Sequence, residues 1–149
     1  MESATVYFCQ TEKILMRDIF YNILNAGLWE DRKLSKDFSF SENEIDTLFE
    51  MGRLQAVGGL MMMGMNVYGI SLGKQKVRWI NTLIGIENKN RKIDVLTEKI
   101  VSSLNAEGMN AEVFKGVSVA KWYRNPLARS YGDIDVVITK GFELSLIHI

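Results

Sequence analysis

With 149 residues, 47% of them hydrophobic and 24% charged, the chain has apolar material for one globular domain, or for a small domain and part of another. Its 18 basic residues balance its 18 acidic ones, so net charge gives no reason to expect nucleic acid or an anionic membrane as the main partner. A single cysteine, Cys9, excludes an internal disulfide and fits a reducing, cytoplasmic setting, with the ordinary role of a small buried hydrophobe.

The opening MESATVYFCQTEKILMRDIF carries Glu2, Glu12 and Asp18 and lacks a basic start followed by a long apolar run, so no targeting segment is expected. From residue 11 to 26, Ile14, Leu15, Ile19, Phe20, Ile23 and Leu24 recur at helical spacing, with Gly27 as the expected stop. A polar segment runs from Glu30 to Asp37. Ser41 followed by Glu44 has the form of a capping box, and Ile45, Leu48, Phe49 and Leu54 continue an apolar helical face. Gly58 and Gly59 weaken or end that helix.

The stretch AVGGLMMMGMNVYGISLG approaches membrane-span length, but its five glycines and Asn66 favour a buried helix with a Met-rich face. Lys74 to Glu107 predicts one long helix, or two broken near Gly85, ending at Gly108. Its apolar face is Val77, Ile80, Leu83, Ile84, Ile93, Leu96, Ile100, Val101 and Leu104, and its polar run Asn88 to Lys92 is expected to be solvated surface.

After Gly108 the texture changes. NAEVFKG reads as a strand, VSVAKWYRN as a short helix stopped by Pro126, and GDIDVVITKG as a second strand. In that strand Ile134, Val136 and Ile138 share one face; Asp133, Asp135, Val137 and Thr139 share the other. Strand, helix, strand is the opening of an α/β unit. The organisation expected is a helical region over 1–108, this partial strand-helix-strand core over 109–140 and a tail over 141–149.

Two carboxylates on one strand face, their Cα atoms roughly 6 to 7 Å apart, repel each other unless something intervenes. A divalent cation removes the conflict, since hard carboxylate oxygens suit Mg²⁺ beside a triphosphate. The plain alternative is a charged guard on a sheet edge. Gly116 lets backbone approach a ligand, the following helix offers N–H groups, Ser118 a hydroxyl and Lys115 a point charge. Singly, these are a turn glycine, a helix cap and a surface lysine. Together with Asp133 and Asp135 they form a coherent phosphate-and-metal site.

The segment VFKGVSVAKWYRNPLARSYGDIDVVI resembles the signature of an uncharacterised bacterial nucleotidyltransferase family within the DNA-polymerase-β-like superfamily. Lys115 and Gly116, Trp122 and Tyr123, Pro126, Arg129 and the run from Asp133 to Asp135 carry the resemblance over about 26 residues. It implies an α+β fold: a helical N-terminal region and then the first strand-helix-strand part of a mixed sheet. It implies that Asp133 and Asp135 bind Mg²⁺ and that Lys115, Gly116, Ser118 and Arg129 lie at the nucleotide. A nucleoside monophosphate would pass from a nucleoside triphosphate to an unidentified acceptor with release of pyrophosphate.

Superfamily enzymes need a third carboxylate from a later strand, and only Glu143 follows Asp135 here. His148, the one histidine, has no expected catalytic part. The closing LSLIHI resembles sequencing-adaptor read-through, and the chain reads as an N-terminal fragment, inactive or weak by itself. A non-catalytic helical binding or regulatory protein is the rival reading, and a small-molecule phosphotransferase a more distant third.

Overall fold

The computed structural model describes the backbone of residues 2–30, 39–140 and 143–148, and the side chains of 15–30, 39–139 and 145–147. The polar segment expected after Glu30, and the side chains of Cys9, Ile14, Glu143 and His148, lie outside the described residues. The chain divides into two units, Met1–Leu83 and Ile84–Ile149.

The first unit contains α1 (Glu2–Trp29), α2 (Glu42–Leu54), α3 (Gly58–Tyr68), a 3₁₀ turn at Gly73–Gln75 and the start of α4 (Lys76–Ala106). Its core joins Ile19, Phe20 and Ile23 of α1 to Ile45, Leu48 and Phe49 of α2, Met61 and Met65 of α3, and Trp79. Trp79 meets the Phe49 ring edge to face at 4.9 Å, a favoured aromatic geometry. The Met-rich stretch is thus core, and among the described residues no helix is long and apolar enough to cross a membrane.

Gly27 does not end α1, which continues to Trp29. It is instead a point of close approach: a Cβ on Gly27 would overlap the Leu60 carbonyl of α3, and one on Gly64 would overlap the Ile23 carbonyl of α1. The two helix backbones meet where neither carries a side chain.

Ser41 caps α2 as expected. Its hydroxyl accepts from the Glu44 N–H at 3.3 Å, while Glu44 Oε2 accepts from the Ser41 N–H at 2.8 Å. The hydrogen bonds from the Ser41 side chain and backbone hold the Glu44 carboxyl below its ordinary value of 4.5. Ser41→Ala is expected to destabilise the first unit by about 1 kcal/mol at neutral pH. Because the folded value of Glu44 is depressed, its contribution is present above about pH 4.5 and fades as pH falls through that lowered value. Urea unfolding of both proteins at about pH 7 and about pH 3 should show the gap narrowing in acid.

The second unit holds the rest of α4, then β1 (Asn110–Phe114), α5 (Gly116–Ala120), a 3₁₀ turn at Pro126–Ala128, β2 (Asp135–Lys140) and β3 (Glu143–His148). Helix α4 passes through Gly85 unbroken. It ends at Ala106 and is closed by Gly108, whose φ of +77° only glycine adopts at little cost. There the Met109 N–H reaches Leu104 O at 3.1 Å and the Gly108 N–H reaches Asn105 O at 3.0 Å, so two orphan carbonyls are satisfied.

The apolar face of α4 differs from the expected one. Val77, Ile84 and Leu96 are exposed, whereas Trp79, Asn90 and Thr97 are buried.

The sheet is three-stranded, in the order β1-β2-β3, and antiparallel throughout, not mixed. The reason lies in the connection after β1. A parallel return needs a helix that retraces the strand, about 17 Å for five residues, and the five residues of α5 span about 8 Å. Residues read as a tail form β3, with Val137 opposite Leu146. Ile134, Val136 and Ile138 pack with Ala111 against Ile93, Ile100, Val101 and Leu104 of α4, as their alternation predicts. The architecture is α+β.

Candidate functional site

Strand β1 leaves the sheet at Phe114, and the chain turns sharply. Lys115 holds φ +58° and ψ −149°, a region close to glycine-only, and Gly116 follows at φ +26°. Strain of this kind costs on the order of 1–3 kcal/mol and persists only where the surroundings impose it. Ser118 imposes part of it: its N–H and its hydroxyl both donate to Lys115 O, at 2.8 and 2.7 Å. The hydroxyl expected to face a phosphate is therefore spent on the turn.

Arg129 imposes another part by donating from Nη1 to Gly116 O at 3.0 Å, with its guanidinium carbon 5.8 Å from the Tyr123 ring centre. Its place is on the loop backbone. At five residues α5 has little macrodipole, so any anion-holding capacity rests on the first N–H groups of the turn, which have no intrahelical acceptor.

The aspartates lie beside this loop. A Cβ on Gly116 would come within 3.2 Å of Asp133 O, so turn and Asp133 backbone are in contact distance and only glycine sits there without displacing the neighbour. Asp133 precedes β2 instead of lying in it, and its side chain is exposed. Asp135 opens β2 and is 7% exposed. With positions 134, 136 and 138 packed toward α4, alternation sends Asp135 to the opposite sheet face. Lys115 Nζ stands 3.9 Å from Asp135 Oδ1. Since β2 is the central strand, a carboxylate buried there is not a sheet-edge guard.

The register aligns Phe114, Asp135 and His148 in one row across the sheet. Phe114 is half exposed, and Lys115 Nζ lies 5.5 Å from its ring centre. Glu112 shares this face, one register step along β1, and is exposed. Among the described residues no group of three His, Cys, Asp or Glu side chains is placed to hold a metal ion. Asp133 and Asp135 are the carboxylates that could hold Mg²⁺ here, an ion that takes one or two carboxylates and completes its shell with water and substrate phosphates.

No family model, curated protein or solved structure matches the chain.

The segment leading into Asp133 is anchored by residues that sequence reading passed over. Asn90 of α4, fully buried, donates from Nδ2 to Leu127 O and Arg129 O, both at 2.7 Å. Asp94, one turn on, accepts from the Tyr131 hydroxyl at 2.8 Å. Burial first, and then this bond, push the Tyr131 phenol well above its ordinary value, so it stays a neutral donor. Glu87 accepts from Asn125 Nδ2 at 3.3 Å. Positions 87, 90 and 94 fall on one helical face. The legible signal was spacing: Asn90 and Thr97 occupy helical positions interleaved with Ile86, Ile93 and Val101, where apolar residues would be expected.

Proposed function

We propose that the second unit belongs to a nucleotidyltransferase core that receives a nucleoside triphosphate between the Lys115–Gly116 turn and the carboxylates of Asp133 and Asp135. The observation that carries this reading is a carboxylate buried in the central strand at Asp135, facing an ammonium on a strained, glycine-bearing turn. A buried charge and a strained backbone each cost stability, and their coincidence supports a site that binds. Mg²⁺, held by Asp133 and Asp135, would neutralise phosphate charge and orient the triphosphate.

The chain's own residues do the rest. Lys115 supplies a positive charge for the phosphates once a metal ion satisfies Asp135, and Arg129 and Ser118 keep the turn in its binding conformation. In the transfer an acceptor atom bonds to the α-phosphorus as the bond to the bridging oxygen of pyrophosphate breaks, the electron pair leaving with pyrophosphate. Membership of the polymerase-β-like superfamily and a setting inside the cytoplasm belong to this same proposal.

Isothermal titration tests the reading. Wild type is expected to bind ATP in a Mg²⁺-dependent manner, and the double variant Asp133→Ala, Asp135→Ala to lose about tenfold or more of that affinity. Equal affinity in the double variant would favour a non-catalytic helical binding or regulatory protein.

A further inference from the structure

A half-exposed phenylalanine is an unexpected occupant of a strand face beside a buried carboxylate. Phe114 is 50% exposed and lies directly across β1 and β2 from Asp135, on the sheet face turned away from α4. The Lys115 ammonium stands near both, 3.9 Å from the Asp135 carboxylate and 5.5 Å from the ring centre. Cross-strand partners lie about 5 Å apart, and two residues of extended strand span roughly 7 Å. A nucleotide with its phosphates between Asp135 and the Gly116 turn therefore carries its base within reach of this ring. Phe114 takes no part in the apolar core of this unit, to which β1 contributes Ala111.

We propose that Phe114 is the platform on which the base of the bound nucleoside triphosphate stacks. This rests on the nucleotide reading above and adds to it the residue that recognises the nucleoside. The contact is made to the face of the base, so it favours any nucleotide over a bare polyphosphate and discriminates little among the bases. The adjacent ammonium reinforces it by drawing the phosphates toward the ring's side of the turn.

The experiment compares Mg²⁺-ATP with Mg²⁺-tripolyphosphate, by titration into the full chain as wild type, Phe114→Ala and Phe114→Trp. Phe114→Ala is expected to weaken ATP about tenfold and to leave tripolyphosphate unchanged, while Phe114→Trp retains ATP affinity. Because the ring is exposed, far-UV circular dichroism and the thermal midpoint should not move.

Two results would overturn the inference while the nucleotide reading stands: equal ATP affinity in wild type and Phe114→Ala, or equal weakening of ATP and tripolyphosphate. Failure of wild type to bind either ligand would remove both proposals. Tripolyphosphate binding abolished by Asp133→Ala, Asp135→Ala marks the phosphate site as present, whatever Phe114 does.

Discussion

Gly64→Val is expected to cost the first unit about 3 kcal/mol or more, and Gly27→Val a comparable amount. In each case the new side chain points into a backbone carbonyl of the facing helix, Ile23 O for Gly64 and Leu60 O for Gly27. A carbonyl within a helix cannot move aside by changing rotamer, so α1 and α3 must separate. Separation opens voids around Ile23, Met61 and Met65, all fully buried.

Gly52 is the control. A Cβ there meets Met61 Cγ at 3.3 Å, the flexible part of a side chain, so Gly52→Ala should be mild. At Gly85 an added methyl would meet nothing within 4 Å, so alanine there should bring a gain of about 0.5 kcal/mol inside α4. Thermal unfolding followed by circular dichroism ranks the four variants. A Gly64→Val protein that melts with the wild type would contradict the close crossing. The two valine variants share one contact, so their costs should fall short of additive when combined.

These glycines show how far the sequence could be read. Gly27 sits near the end of a periodic run, where a stop and a close approach look alike in one dimension. Only the helix opposite distinguishes them. The capping box at Ser41 and Glu44 was legible because its donors and acceptors are three residues apart. The strand at Val136 and Ile138 was legible because alternation is local, and so was the sequence proximity of Asp133 and Asp135.

Features set by tertiary contact were hidden. The sheet's antiparallel sense follows from α5 being only five residues long, a length that propensity does not fix. Ser118 donates into its own turn, and Arg129 to the Gly116 carbonyl, because the strained Lys115 backbone presents those acceptors. A reading of side-chain chemistry alone assigns both to phosphate. The polar run from Asn88 to Lys92 looked solvated as a block, yet one residue of it faces inward.

That residue carries the second large effect. Asn90→Ala is expected to destabilise the second unit by about 2–3 kcal/mol, since it leaves the half-buried carbonyls of Leu127 and Arg129 without their shared donor. The amide orientation is forced. With Oδ1 turned toward two carbonyls the group would meet only acceptors, so Nδ2 faces them and Oδ1 remains without a partner among the described residues. Asn90→Asp should be worse than alanine, because it puts a carboxylate against the same two oxygens at a site with no solvent exposure. Asn88→Ala, two residues away and exposed, should stay within about 0.5 kcal/mol of wild type.

The damage should also be directional. Arg129 continues from the carbonyl that Asn90 holds to the Gly116 carbonyl that its own guanidinium holds, so loosening one end of that residue loosens the Lys115–Gly116 turn at the other. Faster amide exchange at Gly116 and Val117 in Asn90→Ala, at a temperature where the unit is still folded, is the expected signature. Exchange that rises only around residues 125–131 would mean that α4 anchors the return segment without setting the turn.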